Sequence, residues 1–318
     1  MRGLYYLNYS IKHRFGRHWL AAPLFFLFIV VLFGGLPAKS EENSLTYVPV
    51  GSQDNKSLHL IVPNKFRSSA VVMSGKIDEE FKFLTDILEI DENFKTQIRL
   101  MEASTFYERM QVPTWTNAIY LKSRIIIPIA SASAVSSQEL QRAIRHELVH
   151  AIIDHQTSGT CPGWLDEGLA QLLEGPEHPV LKRALRKWII EEGVIPFELL
   201  QNGFTKLPRA MVPAAYAQSL YATKFLLSHE SPEVLRAFFD DLRDNVPFSL
   251  AFEERFDVSF EHFELLLSRQ LEQLALERSE EGANAIWRLT YQDLKGGNVS
   301  IQPKKASISA QAVSWKDN

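Results

Sequence analysis

One long predicted helix with a pair of histidines constrains this chain most. Residues 136–154 (SSQELQRAIRHELVHAIID) contain no proline or glycine, and their apolar residues recur every three or four positions. Ser136 and Glu139 have the Ser-x-x-Glu spacing of a capping box, which predicts that the helix begins there. His146 and His150 are four residues apart, so their side chains lie on one helix face about 6 Å apart. That separation allows two imidazoles to hold one metal ion.

Glu147 lies next to the first histidine but on a different part of the helix surface. One position along a helix is a rotation of about 100°, so Glu147 is poorly placed to be a third ligand. It can instead reach a water molecule bound to the ion. A catalytic zinc site needs a third protein ligand and an open position for water. The sequence has to supply that ligand from outside the His-Glu-x-x-His motif.

Neighbouring residues do not provide the third ligand. His155 is too far round the helix to join the other two histidines. A three-histidine pattern would need a histidine six residues after His150, where the chain has Gln156, and a glycine where it has Ile153. The strongest candidate is Glu167, seventeen residues after His150.

Glu167 lies on a second predicted helix, residues 163–174. Pro162 and Gly163 form a turn into this helix, and Gly175 ends it. Gly168 is in the middle, where a glycine costs about 1 kcal/mol relative to alanine. That cost predicts a close approach to another backbone, which we assign to the helix that carries the histidines.

The other predicted elements divide the chain into two halves. Before the histidine helix, the patterns indicate strands and one helix, at Leu58–Pro63, Ala70–Ile90 (helix), Phe94–Met101 and Trp115–Pro128. After residue 163 they indicate only helices, at Gly163–Glu174, Pro179–Glu192, Pro213–His229, Pro232–Asp244 and Ser259–Arg278. We therefore expect an α+β fold, with a small N-terminal mixed β-sheet and its helices, then a mainly helical C-terminal half. The zinc site should lie in the cleft between the halves.

The ends of the chain differ from the rest. Residues 1–38 contain four basic residues and no acidic residue, and their apolar run at 19–36 is 18 residues long. This pattern predicts a signal peptide or an uncleaved signal anchor, so that the protein is exported. We expect a periplasmic location or an anchor in the inner membrane through residues 19–36, facing the periplasm. Residues 281–318 are polar with weak periodicity, which predicts a largely flexible C-terminal tail.

Charge and cysteine content exclude two classes of protein. Without residues 1–38 the chain has 30 basic and 38 acidic residues, a formal net charge of −8. A broad basic surface for nucleic acid is therefore not expected. Cys161 is the only cysteine, so an intrachain disulfide is impossible and a disulfide-stapled small domain is excluded.

Two sequence segments together resemble a known family. HELVHAIID followed by WLDEGLAQLLEG is similar to the gluzincin zinc peptidases, in which a His-Glu-x-x-His helix precedes a Trp-Leu-x-Glu-Gly-x-Ala helix. The later segment AAYAQSLYATKFLL (residues 214–227) makes the bacterial peptidase MA-like domains the closer match. The resemblance covers about residues 58–274, and we expect the domain to span 45–280.

The resemblance implies a zinc-dependent metallopeptidase that acts on a peptide or protein substrate. It implies one Zn²⁺ ion held by His146, His150 and Glu167, with Glu147 as general base. The alternative is a catalytically inactive metal-binding scaffold that binds a protein or a cell-wall component. The presence of Glu147 favours the enzyme, because a scaffold has no use for a general base.

Other residues near the motif receive less specific roles. Gluzincins often use a tyrosine or histidine to stabilise the oxyanion, and Tyr216 is our choice, with Tyr221 as the alternative. Asp154 and Asp166 are candidates for orienting the ligating histidines, or else are ordinary helix-end or surface carboxylates. Trp164 is expected to pack beneath the site.

One segment before the histidine helix is a candidate for substrate binding. In gluzincins an edge strand there binds an extended peptide by β-strand addition. We predict this role for residues 117–121, although an ordinary interior strand is an equally good interpretation.

Overall fold

The computed structural model describes residues 45–50, 57–90, 92–112, 116, 118–121, 123–131, 133–228 and 230–276. The predicted export segment at 1–38 and the predicted tail at 281–318 lie outside the described residues. Within the described part, no helix combines the length and apolar character needed to cross a membrane.

The described part of the N-terminal half contains a five-stranded mixed sheet. Its strands are β1 (Leu45–Pro49), β2 (Leu58–Pro63), β3 (Thr96–Glu102), β4 (Ile119–Leu121) and β5 (Arg124–Ile129). They lie in the order β1-β2-β3-β5-β4. The inner pairs β2–β3 and β3–β5 are parallel, whereas the outer pairs β1–β2 and β4–β5 are antiparallel. The predicted mixed sheet is therefore confirmed.

The sheet is covered on both faces, which explains the continuous apolar run in β5. Ile125 and Ile127 belong to the main hydrophobic core. Ile126 points to the opposite face and joins a smaller cluster with Phe106 and Ile119. A strand buried on both faces needs apolar residues at every position, so β5 does not alternate between apolar and polar residues.

The helices follow the predicted division of the chain. They are α1 (Arg67–Leu88), α2 (Ala103–Met110), α3 (Gln138–Thr157), α4 (Gly163–Leu173), α5 (Pro179–Glu192), α6 (Val212–Leu227), α7 (Pro232–Arg243), α8 (Phe248–Phe256) and α9 (Phe260–Leu276). All the described helices after α3 lie in a region without strands, so the α+β class with a mainly helical second half is confirmed. β1, α2 and α8 are not predicted from the sequence, because each lacks both a continuous apolar run and enough turns to define a helical period.

The predicted N-terminal cap of α3 is wrong by one residue. The helix begins at Gln138, and its N-cap is Ser137, whose Oγ accepts a hydrogen bond from the Leu140 backbone N–H at 3.1 Å. Ser136 lies in a short 3₁₀ turn before the helix. Either of the two adjacent serines could serve as the N-cap residue by its chemistry. The backbone conformation, extended at Ser137, decides which one does so.

Helix α3 connects the two halves. It packs against β4, β5 and α1, and it also packs against α4 and α7. In the second half α6 is buried along almost its whole length between α4 and α5, which agrees with its lack of a polar face. The second half is therefore a helical layer built around α6, and α3 carries the histidines at its junction with the sheet.

Candidate metal centre

The three predicted ligands meet in one buried cluster. His146 and His150 come from the middle of α3, and Glu167 comes from the first half of α4. The Oε2 atom of Glu167 lies 3.7 Å from Nε2 of His146 and 3.7 Å from Nε2 of His150. One ligand atom from each residue lies within 4.8 Å of the others, and all three residues are buried.

The outer side of the His146 ring is held by a carboxylate. Its Nδ1 atom is 2.6 Å from Oε2 of Glu174, the residue that follows α4. Arg142, one turn earlier on α3, donates from Nε to the other carboxylate oxygen of Glu174 at 2.9 Å. Burial raises the pKa of Glu174, but the hydrogen bond and charge of His146, followed by those of Arg142, outweigh burial and lower its pKa below the usual value. Glu174 therefore stays ionised and accepts the Nδ1 proton of His146.

The outer side of the His150 ring is also held by a carboxylate. Its Nδ1 atom is 2.8 Å from Oδ1 of Asp166, and the Asp166 side chain is 24% exposed. Burial lowers the pKa of His150, but the charge and hydrogen bond of Asp166 outweigh burial and raise its pKa to about 10. Of the two predicted orienting aspartates, only Asp166 contacts a histidine ligand among the contacts of the described residues.

Asp154 has a different neighbour from the one proposed for it. It lies one turn after His150 on α3 and accepts a hydrogen bond from the hydroxyl of Tyr120 on β4 at 2.8 Å. The interaction joins the end of the histidine helix to the edge strand of the sheet. Asp154 therefore ties α3 to β4.

Glu147 is buried beside the ligand cluster. Its side chain is 1% exposed, and its Oε1 atom has no hydrogen-bond partner among the described residues. Burial raises the pKa of Glu147 to about 7, although the charges of His150 and His146 act in the opposite direction. A carboxyl group with a pKa near 7 can accept and release a proton at neutral pH.

The two candidate tyrosines on α6 occupy different environments. Tyr216 is buried, and its hydroxyl donates to Oε1 of Glu167 at 3.4 Å. The hydroxyl of Tyr221 donates to Glu177, which also forms an ion pair with Lys224. Tyr216 therefore contacts one of the three predicted ligands, whereas Tyr221 binds to the connection between α4 and α5.

The close approach at Gly168 is present, but the predicted partner is wrong. A Cβ atom at this position would lie 2.0 Å from Oγ1 of Thr223 and 2.4 Å from the carbonyl oxygen of Ser219. Both residues belong to α6 and not to α3. Gly168 thus sets the distance between α4 and α6, which brings Tyr216 to Glu167.

Residues that were excluded as ligands or assigned to packing make contacts elsewhere in the fold. His155 packs edge-on against Phe94, and the Gln156 side chain donates to the carbonyl oxygen of Leu88 at 2.5 Å. Trp164 is fully buried and packs against Phe197 in the aromatic core of the helical half. Trp164 therefore packs in the core as expected, and its position beneath the site stays a prediction.

Two neighbours of the candidate ligands, Glu174 and Arg142, were not predicted from the sequence. Glu174 lies seven residues after Glu167, two helical turns further on the same side of α4. Arg142 lies four residues before His146 on α3. Both spacings place the residues near a ligand, so a search for carboxylates two turns from Glu167 would have found the first of them.

The cluster suits a divalent cation that prefers nitrogen and oxygen ligands. Two histidines and one arginine are surrounded by four buried or half-buried carboxylates, which belong to Glu147, Asp166, Glu167 and Glu174. The inner atoms Nε2 of His150 and Oε2 of Glu167 have no hydrogen-bond partner among the described residues. Zinc bound tetrahedrally places its ligand atoms about 3.3 Å apart, close to the observed separations of 3.7 Å. The residues present therefore fit one zinc ion.

Fold and site together define a candidate metal-centre protein of the two-histidine, one-glutamate type. A sequence profile described as peptidase MA superfamily matches residues 95–264, which is more than half of the 318 residues and includes all three candidate ligands. The chain therefore belongs to the peptidase MA superfamily. This membership agrees with the gluzincin resemblance and suggests a metallopeptidase. No curated protein matches the chain significantly.

Proposed function

We propose that the protein is a zinc-dependent metallopeptidase. One observation carries the proposal: the ligand atoms of His146, His150 and Glu167 converge in a buried cluster, and the buried Oε1 atom of Glu147 beside it has no hydrogen-bond partner among the described residues. Membership of the peptidase MA superfamily supports the same reaction class. A metal-binding scaffold would require the three ligands and their supports, but it would not require a proton acceptor beside them.

The chain's own residues have separate tasks in this reaction. A bound zinc ion would polarise a water molecule and lower its pKa toward about 7. Glu147 accepts a proton from the attacking water and delivers it to the leaving amine. The rings of His146 and His150 are held in fixed orientations, because the Nδ1 atom of each ring contacts a carboxylate. Glu167 completes the ligand set from a second helix.

We propose that Tyr216 supplies a hydrogen-bond donor to the oxyanion. Its hydroxyl lies beside Glu167, and its ring packs at 5.0 Å, edge to face, against Phe204, which restrains the side chain. A neutral donor held in a buried site stabilises developing negative charge, and the single O–H of Tyr216 would turn from Glu167 to the oxyanion. This position supports Tyr216 over Tyr221 for the role.

We propose that β4 binds an extended peptide substrate by strand addition. β4 is the last strand in the sheet order, and it pairs antiparallel with β5 along one side only. The hydrogen bond from Tyr120 to Asp154 holds this strand against the helix that carries the histidines. Residues 118–121 of the proposed segment are described, whereas residue 117 lies outside the described residues.

We also propose that the protein is exported. The proposal depends on the basic residues and the 18-residue apolar run within residues 1–38. N-terminal sequencing of the mature protein tests it, with cleavage between Ala38 and Lys39 expected for a signal peptide. An intact N-terminus in the membrane fraction would indicate an anchor, and an intact N-terminus in the soluble cytoplasmic fraction would contradict export.

The Glu147→Gln variant tests the enzymatic reaction. Glutamine keeps the size of the side chain but cannot accept the proton, so we expect peptide hydrolysis to fall at least about 1,000-fold while zinc remains bound. The measurement combines zinc content with cleavage of an unfolded protein substrate, followed by mass spectrometry. Full activity in Glu147→Gln would reject this mechanism. Zinc binding by the wild type without any cleavage would support the scaffold function instead.

A further inference from the structure

Both carboxylate oxygens of Glu174 contact side chains of α3. Oε1 accepts from Nε of Arg142 at 2.9 Å and also from Nη2 of the same guanidinium. Oε2 lies 2.6 Å from Nδ1 of His146. Arg142 and His146 are one turn apart on α3, so one helix supplies both groups that hold a carboxylate from the end of α4.

The main chain around Glu174 is anchored separately. Arg145 donates from Nη1 to the Glu174 carbonyl oxygen at 2.6 Å. Three residues later, Glu177 accepts from Nζ of Lys224 at 2.7 Å and from the hydroxyl of Tyr221 at 3.0 Å. These contacts fix the backbone between α4 and α5, but they leave the direction of the Glu174 carboxylate to be set by its own two partners.

Arginine suits this task better than a neutral partner. The Glu174 side chain is 5% exposed, and a buried carboxylate is costly unless a charged group pairs with it. His146 must be neutral when it ligates a metal ion, so among the described residues Arg142 is then the positively charged partner of the Glu174 carboxylate. A planar guanidinium also fixes the orientation of the carboxylate that it binds.

We propose that Arg142 is a positioning residue of the metal centre, which acts through Glu174 on His146. By holding Oε1 of Glu174, it keeps Oε2 against Nδ1 of His146 and so directs Nε2 of the ring toward the ion. The inference depends on the proposed metal site but not on peptide hydrolysis. Loss of peptidase activity in every assay would leave it intact.

A double-mutant cycle on zinc affinity tests the proposal. The four proteins are the wild type, Arg142→Met, Glu174→Gln and the double variant, each titrated with zinc in competition with a chromophoric chelator. We expect Arg142→Met to weaken zinc binding about 10-fold, as is typical for groups that orient a metal ligand. The double variant should bind zinc no more weakly than Glu174→Gln alone, because Arg142 acts only through that carboxylate.

A matched control separates positioning from general stability. Arg236 is also a partly buried arginine that forms ion pairs, with side-chain exposure of 19% against 21% for Arg142, but its partners are Glu89 and Glu233. Arg236→Met should leave zinc affinity unchanged. The absorption spectrum of bound Co²⁺ should change in Arg142→Met and stay the same in Arg236→Met.

Two results would overturn the proposal. One is unchanged zinc affinity in folded Arg142→Met, and the other is losses from Arg142→Met and Glu174→Gln that add fully in the double variant. If Arg142→Met does not fold, Arg142→Lys replaces it, because lysine keeps the charge but offers a single nitrogen. Zinc affinity should then fall several-fold, and wild-type affinity would contradict the role of the guanidinium.

Discussion

The rings of His146 and His150 both face a carboxylate through Nδ1, but the two carboxylates lie in different surroundings. Glu174, behind His146, is 5% exposed and forms an ion pair with Arg142. Asp166, behind His150, is 24% exposed, so water can solvate part of it. Glu174 is therefore a closed support for its histidine, whereas Asp166 is an open support whose charge water also solvates.

The comparison also shows how one helix can serve both ligands. Asp166 lies in the first turn of α4 and Glu174 just after its end, with the third ligand Glu167 between them. The position of α4 therefore controls the whole centre. That position is set where Gly168 meets α6.

The largest expected effect is that of Gly168→Ala, which displaces α4 and thereby disturbs both supports. The added Cβ atom would clash with Thr223 and with the backbone of Ser219. We expect a loss of about 3 kcal/mol in the free energy of unfolding, together with much weaker zinc binding. Urea denaturation and zinc titration measure the two effects.

Gly75→Ala provides the matched control for this change. Gly75 is an exposed residue of α1, and a Cβ atom there would have no neighbour within 4 Å. Alanine should stabilise the protein by about 1 kcal/mol through helix propensity, without changing zinc affinity. Equal effects of the two substitutions would show that α4 is not held by close packing at Gly168.

The next effect is that of Glu174→Gln, which tests the closed support. Glutamine removes the charge that pairs with Arg142 and weakens acceptance of the His146 proton. We expect zinc affinity to fall about 100-fold, at the upper end for residues that orient a ligand. Competition with a chelator measures the change, and a loss of less than twofold would mean that Glu174 does not orient His146.

Asp166→Asn should have a smaller effect, because the open support is partly solvated. Asparagine keeps an oxygen that can accept from Nδ1 of His150, and water can compensate for the lost charge. We expect zinc affinity to fall about 10-fold. The same titration checks this value, and the comparison fails if Asp166→Asn costs as much affinity as Glu174→Gln.

Tyr216→Phe should have the smallest effect on the metal. The hydroxyl contacts Glu167 at 3.4 Å, which is a long hydrogen bond, so zinc affinity should change by less than about threefold. If the hydroxyl also stabilises the oxyanion, kcat should fall about 100-fold with zinc retained. An unchanged kcat would move that role away from Tyr216.

The two histidine ligands could be predicted because their geometry is local to one helix, and Glu167 could be predicted because its segment resembles the second gluzincin helix. His146 and His150 are four positions apart, so they lie on one helix face. Glu167 is followed by Gly168, and a glycine within a helix predicts that this helix lies close to a neighbouring one. The partner of Gly168 was not within reach, since a small residue predicts close approach without specifying the neighbour. The pairing of Arg142 with Glu174 was not predictable either, because it depends on how α3 and α4 dock, although the spacing from Glu167 could have identified Glu174 itself.

The fold shows the same limit. The periodicity of the longer helices predicted α1, α4 to α7 and α9, because each carries enough apolar residues to define its period, and the continuous apolar run at Leu58–Pro63 predicted β2. The short strand β1 and the short helices α2 and α8 carry too few. The N-cap of α3 differed by one residue because Ser136 and Ser137 are adjacent and chemically equivalent.

X-ray absorption at the zinc K-edge of the zinc-loaded protein tests the central claim most directly. The account predicts a first shell of nitrogen and oxygen atoms at about 2.0–2.1 Å, with multiple scattering from two imidazoles, and one zinc ion per chain. A sulfur ligand at about 2.3 Å, which only Cys161 or a methionine could supply, would contradict the account. A first shell with fewer than two imidazoles would contradict it equally.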